Sequence, residues 1–237
     1  MAFHQHEPTR PDVRVRERRG RVPRMEGGIA RWYTRLRSSG HQLETYRRQG
    51  VELTADLPDG ADVLEIAPGP GFLAIEMARS RRVTVTGLDI SHTFVQIASE
   101  NARRAGVQAE FRQGDAAALP FDAASFDLIA CQAAFKNFTR PVDALNEMHR
   151  VLRADGTAVI QDMRNEATRA DIDREVRGME LGRPNAFMTK VTLTMLRRRA
   201  FSQAQFERLA AASAFGSSEI RADGIGIEVR LRKPDAA

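Results

Sequence analysis

The sequence of 237 residues has a single cysteine, Cys131, and lacks any long apolar run. One cysteine excludes an internal disulfide framework, which favours a reducing compartment. No stretch reaches the roughly 20 apolar residues that a membrane-spanning helix requires. No apolar segment of the kind found in secretory signals follows the start of the chain. We therefore expect a cytoplasmic protein without a membrane span.

Histidines are also scarce, with five in the chain, and aromatic residues make up only 6%. His4 and His6 have no carboxylate or thiol partners at metal-ligand spacing, so we expect no metal site. His92 falls in the first turn of a predicted helix and His149 lies far from the expected site, so we assign no catalytic histidine. The hydrophobic content of 42% and the charged content of 28% are those of an ordinary globular protein. The length suits one α/β domain with a modest accessory element.

The positive charge is concentrated at the start of the chain. The net charge is +5, and residues 1–24 carry seven arginines against three acidic residues, a net charge of +4. This segment is polar, contains proline and shows no hydrophobic period, so we expect a disordered head over residues 1–26. An electrostatic arm for RNA or an anionic surface is the functional alternative to a solvated tail. Whether Met25 is the native start stays open.

The most informative stretch is a short apolar run that ends in a glycine turn. Residues 63–66 predict a buried strand, Pro-Gly-Pro-Gly at 68–71 ends it, and residues 72–78 predict a helix. Gly69 and Gly71 lack side chains, which would let a ligand approach the backbone in front of the amino end of that helix. A dinucleotide site or a plain structural turn fits the same pattern.

Two further acidic residues follow predicted strands. Asp89 ends the strand at residues 83–89, eighteen residues after Gly71, where a carboxylate can accept hydrogen bonds from ribose hydroxyls. Residues 109–116 predict a third strand that ends in Gly114-Asp115-Ala116, and residues 126–131 predict a fourth. The carboxyl ends of these strands are expected to converge on one ligand.

The glycine loop, Asp89, the Gly114-Asp115-Ala116 turn and the strand from Phe126 together resemble the class I S-adenosylmethionine-dependent methyltransferases. Residues 151–157 also resemble the turn before the fifth strand of that family. The similarity covers roughly residues 27 to 232 and is closest to small-molecule enzymes of the ubiquinone-biosynthesis type. It implies S-adenosyl-L-methionine as the cofactor.

The resemblance also implies roles for individual residues. The glycines and the first acid would hold the methionine part, the second acid the ribose, and the third acid the adenine amino group. Ala67 stands where the family usually has its first glycine, and its methyl group is expected to narrow the loop. The implied cofactor-binding residues are Glu65, Ala67, Gly69, Gly71, Asp89, Ile90, Asp115, Ala116 and Cys131.

The expected fold is α/β, a Rossmann-like seven-stranded and mostly parallel sheet with an antiparallel last strand, helices on both faces and a small helical lid. Residues 27–237 would form the methyltransferase domain, with 164–200 as the lid insert. Thr168 with Asp171 marks a helix start, residues 188–199 predict a second lid helix, and Ser202 opens a capping-box pattern. Near the start, a helix would place Trp32 or Tyr33 either over the cofactor mouth or in the core.

Methyl transfer from a sulfonium requires mainly alignment and the exclusion of water. The residues placed to act are those at the carboxyl ends of strands four and five, namely Gln132, Phe135, Lys136, Asn137, Asp162 and Arg164. Lys136 and Asn137 are the first candidates for contacting the acceptor, with Asp162 beside them, and no catalytic base is assigned. The basic lid is compatible with an acceptor that carries carboxylate or phosphate, but a solvated helix face is the favoured explanation.

The functional prediction is a methyltransferase that acts on a small-molecule acceptor. The alternatives are an RNA methyltransferase that uses the arginine-rich head, or a cofactor-binding protein without methyl transfer. The chain lacks an Asn-Pro-Pro-Tyr motif, so nucleic acid is not the expected partner. A nicotinamide dehydrogenase would leave the Gly114-Asp115-Ala116 turn unexplained. The identity of the acceptor, its attacking atom and the oligomeric state stay open.

Overall fold

The computed structural model describes residues 25–38, 40–79 and 82–235. The prediction of a disordered head therefore falls mostly on residues outside those described. The helices and strands follow one another in this order: α1 (Gly27–Arg37), α2 (Gly40–Thr54), β1 (Ala61–Ile66), α3 (Phe72–Ala78), β2 (Val83–Asp89), α4 (His92–Ala105), β3 (Ala109–Gln113), β4 (Phe126–Gln132), α5 (Pro141–Val151), β5 (Leu152–Met163), α6 (Arg169–Gly178), α7 (Arg183–Arg197), α8 (Gln203–Ala211), β6 (Glu219–Asp223) and β7 (Gly226–Arg232).

The strands form one sheet in the order β3-β2-β1-β4-β5-β7-β6. The first five strands are parallel, and β7 runs antiparallel to both of its neighbours. The predicted seven-stranded Rossmann-like sheet and its antiparallel last strand are confirmed. The strand order reverses between β1 and β4, and in open α/β sheets the crevice at this switch point is the usual ligand site.

Strand β1 is buried on both faces of the sheet, as its apolar run predicts. Leu64 and Ile66 pack into one hydrophobic cluster with α5 and α8, whereas Val63 packs into another beneath α2 and α3. Side chains alternate along a strand, so Glu65 lies on the same side as Val63. The Glu65 carboxylate is therefore directed towards α2 and α3.

The helix caps predicted from the sequence are present in the structure. The Ser91 hydroxyl accepts a hydrogen bond from the Phe94 backbone N–H, and Gly106 ends α4 in a left-handed conformation. Thr168 and Ser202 each open a helix with a reciprocal capping box. These contacts satisfy backbone donors that the first turn of a helix leaves unpaired.

The fifth strand begins earlier than predicted. Residues 151–157 were expected to form a turn before the fifth strand, but Val151 ends α5, and β5 begins at Leu152 and includes the other six residues. The register with β4 shifts between Phe126–Leu152 and Leu128–Thr157, so the stretch between them bulges out of the ladder. Arg153 holds this bulge against the sheet, since its guanidinium donates to carboxylates of Asp62 and Asp127.

Helices α6 and α7 form the helical insert between β5 and α8. Ile172 and Val176 of α6 are buried against Met163 and Ala200, and the inner side of α7 packs on the same cluster. The second lid helix begins at Arg183, five residues before the expected Met188. Among the described residues, no helix combines the length and apolar character needed to cross a bilayer.

Candidate functional site

The loop between β1 and α3 turns through three residues with positive φ. Ala67 has φ +57°, Gly69 has φ +53° and Gly71 has φ +79°. The Ala67 backbone N–H donates to the Leu88 carbonyl oxygen at 2.8 Å, which ties the start of the loop to β2. For an alanine, the left-handed conformation costs about 1–2 kcal/mol. Ala67 therefore adopts the conformation that a glycine would adopt here, and its hydrogen bond to Leu88 helps to offset the backbone strain.

The two glycines of the loop serve different purposes. A Cβ atom on Gly69 would meet nothing within 4 Å, so its missing side chain leaves open space. A Cβ on Gly71 would lie 2.8 Å from the Ala98 Cβ and 3.0 Å from the Phe111 ring. The sequence predicted that both glycines admit a ligand. At Gly71, the space is taken by the protein itself, so this glycine allows α4 and β3 to pack against the loop.

Glu65 near the end of β1 is buried with one of its carboxyl oxygens lacking a hydrogen bond. The residue is 3% exposed, and its Oε2 atom has no hydrogen-bond partner. Burial raises the pKa of Glu65 from its ordinary 4.5 to about 8, a hydrogen bond from the Ala74 backbone N–H opposes this, and the negative charge of Asp89 adds to it. An unpartnered buried carboxyl oxygen is unusual, because such groups are normally hydrogen-bonded. It indicates a site for a donor that the protein does not supply.

Helices α1 and α2 roof a small cavity of about 40 Å³ over Glu65. Arg37 of α1 donates to the Tyr46 hydroxyl at 2.8 Å, and its guanidinium lies 5.9 Å from the Tyr33 ring centre and 5.4 Å from the Tyr46 ring centre. The cavity therefore brings together a carboxyl group and a guanidinium. Its remaining lining residues are Ala67, Pro68, Gly69, Pro70, Phe72, Leu73, Gln132 and Ala133.

The structure decides between the two aromatic residues proposed for the mouth. Tyr33 lines the cavity and makes an edge-on contact with Phe94 at 5.9 Å, whereas Trp32 is 61% exposed and does not line it. Of the two aromatic residues, Tyr33 therefore lies at the cavity, and its contact with the cofactor stays a prediction. Neither residue belongs to the core, where α1 is anchored by Ala30.

Asp89 at the end of β2 is held firmly by backbone donors. One carboxylate oxygen accepts from the Ser91 N–H at 2.8 Å and the other accepts from the Gly69 N–H at 3.0 Å. The residue is 5% exposed, and burial raises the pKa of this carboxyl group against those hydrogen bonds. Each carboxylate oxygen can accept more than one hydrogen bond, so the group retains capacity for a ligand.

The residues expected around an adenine lie along the open edge beyond Asp89. The Ile90 side chain is 44% exposed. Asp115 accepts from the Ala117 N–H at 2.9 Å and pairs with Arg140 at 3.0 Å, with half of its side chain exposed. Ala116 is partly buried against the hydrophobic core. These three residues form an accessible ledge beside the buried cavity.

Cys131 does not share this accessibility. The side chain is 1% exposed inside the main hydrophobic cluster, and burial raises the pKa of the thiol far above its ordinary range. The cavity is bounded instead by the next two residues, Gln132 and Ala133. The Gln132 side-chain amide donates to the Gln49 side chain at 2.6 Å, which joins β4 to α2. The thiol thus packs the core where a ligand contact was expected.

Lys136 and Asp162, two acceptor-side candidates, form a buried ion pair. The Lys136 Nζ lies 2.8 Å from Asp162 Oδ1 and also donates to the Ala133 carbonyl oxygen, while the Lys136 backbone N–H donates to Asp162 Oδ2 at 2.9 Å. Both side chains are at most 6% exposed. In this structure the Lys136 amine holds the Ala133 turn, which has φ +55°, and its contact with an acceptor stays a prediction.

The other acceptor-side candidates divide into buried and accessible residues. Phe135 is fully buried, and Arg164 donates to the Gly224 carbonyl oxygen and lies 3.6 Å from Asp171. Gln132 and Asn137 remain partly exposed at this edge. Among these candidates, the partly exposed groups are thus two neutral amides and the Arg164 guanidinium, which Gly224 and Asp171 already engage.

Glu26 was missed by the sequence analysis, yet it closes the amino end of α4. Its carboxylate accepts from the His92 N–H at 3.1 Å, the Thr93 N–H at 3.0 Å and the Thr93 hydroxyl. The Thr93 hydroxyl bond is the largest influence that lowers the Glu26 pKa. The contact spans more than sixty residues, so no local pattern around Glu26 announces it. It anchors α1 above the site.

Comparison with known proteins supports a family assignment. Residues 64–160 match the family model described as a methyltransferase domain. A demethylmenaquinone methyltransferase of Deinococcus radiodurans is 33% identical over 156 residues, which are 64% of each chain. A ubiquinone/menaquinone biosynthesis C-methyltransferase of Geotalea uraniireducens is 31% identical over 106 residues, 43% of this chain and 45% of the relative. The chain thus spans less than two thirds of the length of these relatives.

A solved structure extends the comparison to the whole fold. The SAM-dependent methyltransferase from Aquifex aeolicus superposes with a TM-score of 0.64 at 16% identity, over 86% of this chain and 98% of that one. At this identity the likeness concerns the fold alone. The glycine loop and the Asp89 strand end lie inside the matched stretch, so the chain is similar to methyltransferases over residues 64–160 and shares the fold of a solved S-adenosylmethionine-dependent methyltransferase.

Proposed function

We propose that this protein transfers a methyl group from S-adenosyl-L-methionine to a small-molecule acceptor. The observation that carries the proposal is the unpartnered carboxyl oxygen of Glu65, which shares one cavity with the guanidinium of Arg37. An amino-acid ligand carries both an ammonium and a carboxylate. Glu65 would accept from the ammonium, and Arg37 would pair with the carboxylate.

The remaining cofactor contacts follow the edge of the sheet. Asp89 would accept hydrogen bonds from the ribose hydroxyls, and Ile90 and Ala116 would border the adenine. Asp115 would accept from the adenine amino group, which means sharing its carboxylate with Arg140. The cavity at Glu65, about 40 Å³, has room for the polar end of an amino acid but not for a nucleoside. The nucleoside would therefore lie along the accessible ledge outside it.

When bound, S-adenosyl-L-methionine supplies an electrophilic methyl group on a sulfonium. The protein must then hold donor and acceptor in line and exclude water. Tyr33 and Tyr46 roof the cavity and would shield it. The Lys136–Asp162 pair holds the Ala133 turn, which forms part of the wall between the cofactor cavity and the acceptor side.

We propose further that the acceptor is a hydroquinone-like or phenolic small molecule. Lys136 and Asp162 are engaged with one another, so the partly exposed candidates are the amides of Gln132 and Asn137 and the guanidinium of Arg164. Neither an amide nor a guanidinium removes a proton, which favours an acceptor that ionises by itself and becomes enolate-like at carbon. Relatives named for demethylmenaquinone and for ubiquinone/menaquinone biosynthesis support this class.

The test is transfer of radiolabelled methyl from S-adenosyl-L-methionine to a reduced demethylated quinone, with the same quinone kept oxidised as a matched control. We expect labelled product with the reduced form only. Label in RNA would favour the alternative use of the arginine-rich head, and cofactor binding without label in any acceptor would favour a protein without methyl transfer. Either result would contradict the proposal.

We propose further that residues 27–237 form one domain with 164–200 as its lid, that the protein is cytoplasmic, and that it has no nucleic acid partner. Light scattering of the purified protein, with and without residues 1–24, tests whether the head contributes to assembly.

A further inference from the structure

Helix α7 presents an apolar stripe to its exterior. Phe187, Val191 and Met195 recur every fourth residue, and Met188 lies beside them. Phe187 is 66% exposed, Met188 60% and Met195 62%. The opposite side of the helix packs on α6 through residues that face inward, Ala186, Leu193 and Leu196. The outer stripe is therefore an additional apolar face, beyond the one that holds the helix in the fold.

Helix α1 repeats this arrangement. Ile29, Trp32 and Leu36 lie on one face at helical spacing and are 56–61% exposed. The other face of α1 is held through Ala30 and Tyr33, and Tyr33 contacts α4. Exposed apolar residues scattered singly require no explanation, but two stripes of three or four residues each are the kind of patch that marks an interaction site.

The two stripes lie at the same edge of the sheet. Helix α1 rests on the first turn of α4, which follows the carboxyl end of β2, whereas α6 and α7 follow the carboxyl end of β5. Strands β1 and β4 lie between β2 and β5, so the two sides are separated by about 14 Å of sheet at the usual strand spacing. The cavity lined by Glu65 and Gln132 lies at the same edge, at the ends of β1 and β4.

The positive charge of α1 and α7 indicates what kind of surface the two stripes would bind. Neither α1 nor α7 contains an acidic residue, and each carries three basic residues. Arg31 and Arg35 are exposed on α1, Arg183 is exposed on α7, and Arg198 is exposed directly after it. A second copy of the chain placed face to face would bring these like charges together. A cationic apolar face instead suits a surface that is both anionic and apolar, as a lipid headgroup layer is.

We propose that the apolar stripes of α1 and α7, with their flanking arginines, dock this protein on an anionic membrane surface with the mouth of the cavity facing the lipid. Trp32 suits this position, because tryptophan is enriched at membrane interfaces where one part of the ring is apolar and the other wet. The inference does not depend on methyl transfer. If the acceptor is apolar, docking would place the site where such an acceptor dissolves.

The test is co-sedimentation of the full chain with vesicles, together with the fluorescence of Trp32, the only tryptophan in the sequence. The vesicles are phosphatidylcholine alone or phosphatidylcholine mixed with phosphatidylglycerol. We expect binding to the mixed vesicles, weakened by salt, and a blue shift of Trp32 emission as the ring leaves water. Phosphatidylcholine alone should bind at least tenfold more weakly.

Paired variants locate the docking face. Phe187→Asp with Met195→Asp should weaken binding to mixed vesicles at least tenfold, since both residues are exposed and the change leaves the core intact. The matched control is Val51→Asp, at a position that is 64% exposed on α2. Val51 belongs to neither apolar stripe. This control should bind as the unchanged protein does.

Three results would overturn the inference. The first is no sedimentation with mixed vesicles. The second is binding that persists in the Phe187→Asp, Met195→Asp variant but disappears on removal of residues 1–24, which would assign it to the head. The third is a dimer in solution that the same double variant dissolves, which would assign the stripe to contact between copies. Each result leaves the methyl-transfer proposal untouched, because that proposal is tested by labelled product.

Discussion

At the scale of single residues, the Glu65 carboxyl group is the most informative. Its pKa of about 8 follows from burial, so the free protein retains the Glu65 proton at neutral pH. An ammonium placed against Oε2 would favour the ionised form. Binding of an amino-acid ligand below about pH 8 must then expel a proton from Glu65, and affinity must rise as pH approaches that value.

This linkage gives the first prediction. S-adenosylhomocysteine titrated at about pH 6.5, where its α-amino group is already charged, should release close to one proton on binding. The measurement is the calorimetric heat in buffers of different ionisation enthalpy. Glu65→Gln keeps the shape of the side chain and removes the titrating group, so its binding should release no proton. Equal proton release in both proteins would show that Glu65 does not meet the ammonium.

The two loop glycines give the second prediction. Gly71→Ala should destabilise the fold by several kcal/mol, because its Cβ would lie 2.8 Å from Ala98 in addition to the cost of its φ. Gly69→Ala should cost about 1–2 kcal/mol, the backbone term alone, because its Cβ meets nothing. Denaturant unfolding of both variants measures the difference. If the two costs were equal, the packing account of Gly71 would be wrong.

At the scale of elements, α1 roofs the site and supplies Arg37, which no sequence motif indicated. The helix itself was predicted, but its register over the loop depends on Glu26 reaching the amino end of α4 and on Tyr33 meeting Phe94. Such contacts join residues more than sixty positions apart. The strands and caps, by contrast, depend on neighbours in sequence, which is why Ser91, Thr168 and Ser202 were identified correctly.

The third prediction separates the contacts of α1 from those of β2. Arg37→Met should weaken S-adenosylhomocysteine by roughly 1–3 kcal/mol, the scale of a charged hydrogen bond, and leave 5′-methylthioadenosine unaffected because that ligand has no amino acid. Asp89→Ala should weaken both ligands by a similar amount, since both carry the ribose. Calorimetry or ligand-shifted melting measures the four affinities. An Arg37→Met variant that weakens both ligands equally would contradict the carboxylate assignment.

The fourth prediction concerns the join between β4 and β5. Lys136→Met leaves the Asp162 carboxylate buried and unpaired, which should cost about 3–5 kcal/mol of unfolding free energy. Removing one partner of the exposed Arg112–Glu110 pair, as in Arg112→Met, should change stability little. Denaturant titration compares them. A small loss at Lys136 would mean that the pair is not the support of the Ala133 turn.

At the scale of the whole molecule, the alternation of strands and helices was enough to predict the sheet and its closing hairpin. The ends of β1 and β2 were also predicted, because a glycine loop and an acid at fixed spacing are local signals. The burial of Cys131, the close contacts around Gly71 and the ion pair of Lys136 were not predicted, since their surroundings come from distant parts of the chain. The ligand contacts assigned to these residues stay predictions.

Calorimetric titration of the purified protein with S-adenosylhomocysteine and with NAD tests directly whether the ends of β1 and β2 bind S-adenosyl-L-methionine. We expect S-adenosylhomocysteine to bind with one site per chain and NAD not to bind, because Glu65 and Arg37 suit an amino acid and not a second nucleotide. Binding of NAD, or binding of neither ligand, would contradict the assignment of the site at the ends of β1 and β2.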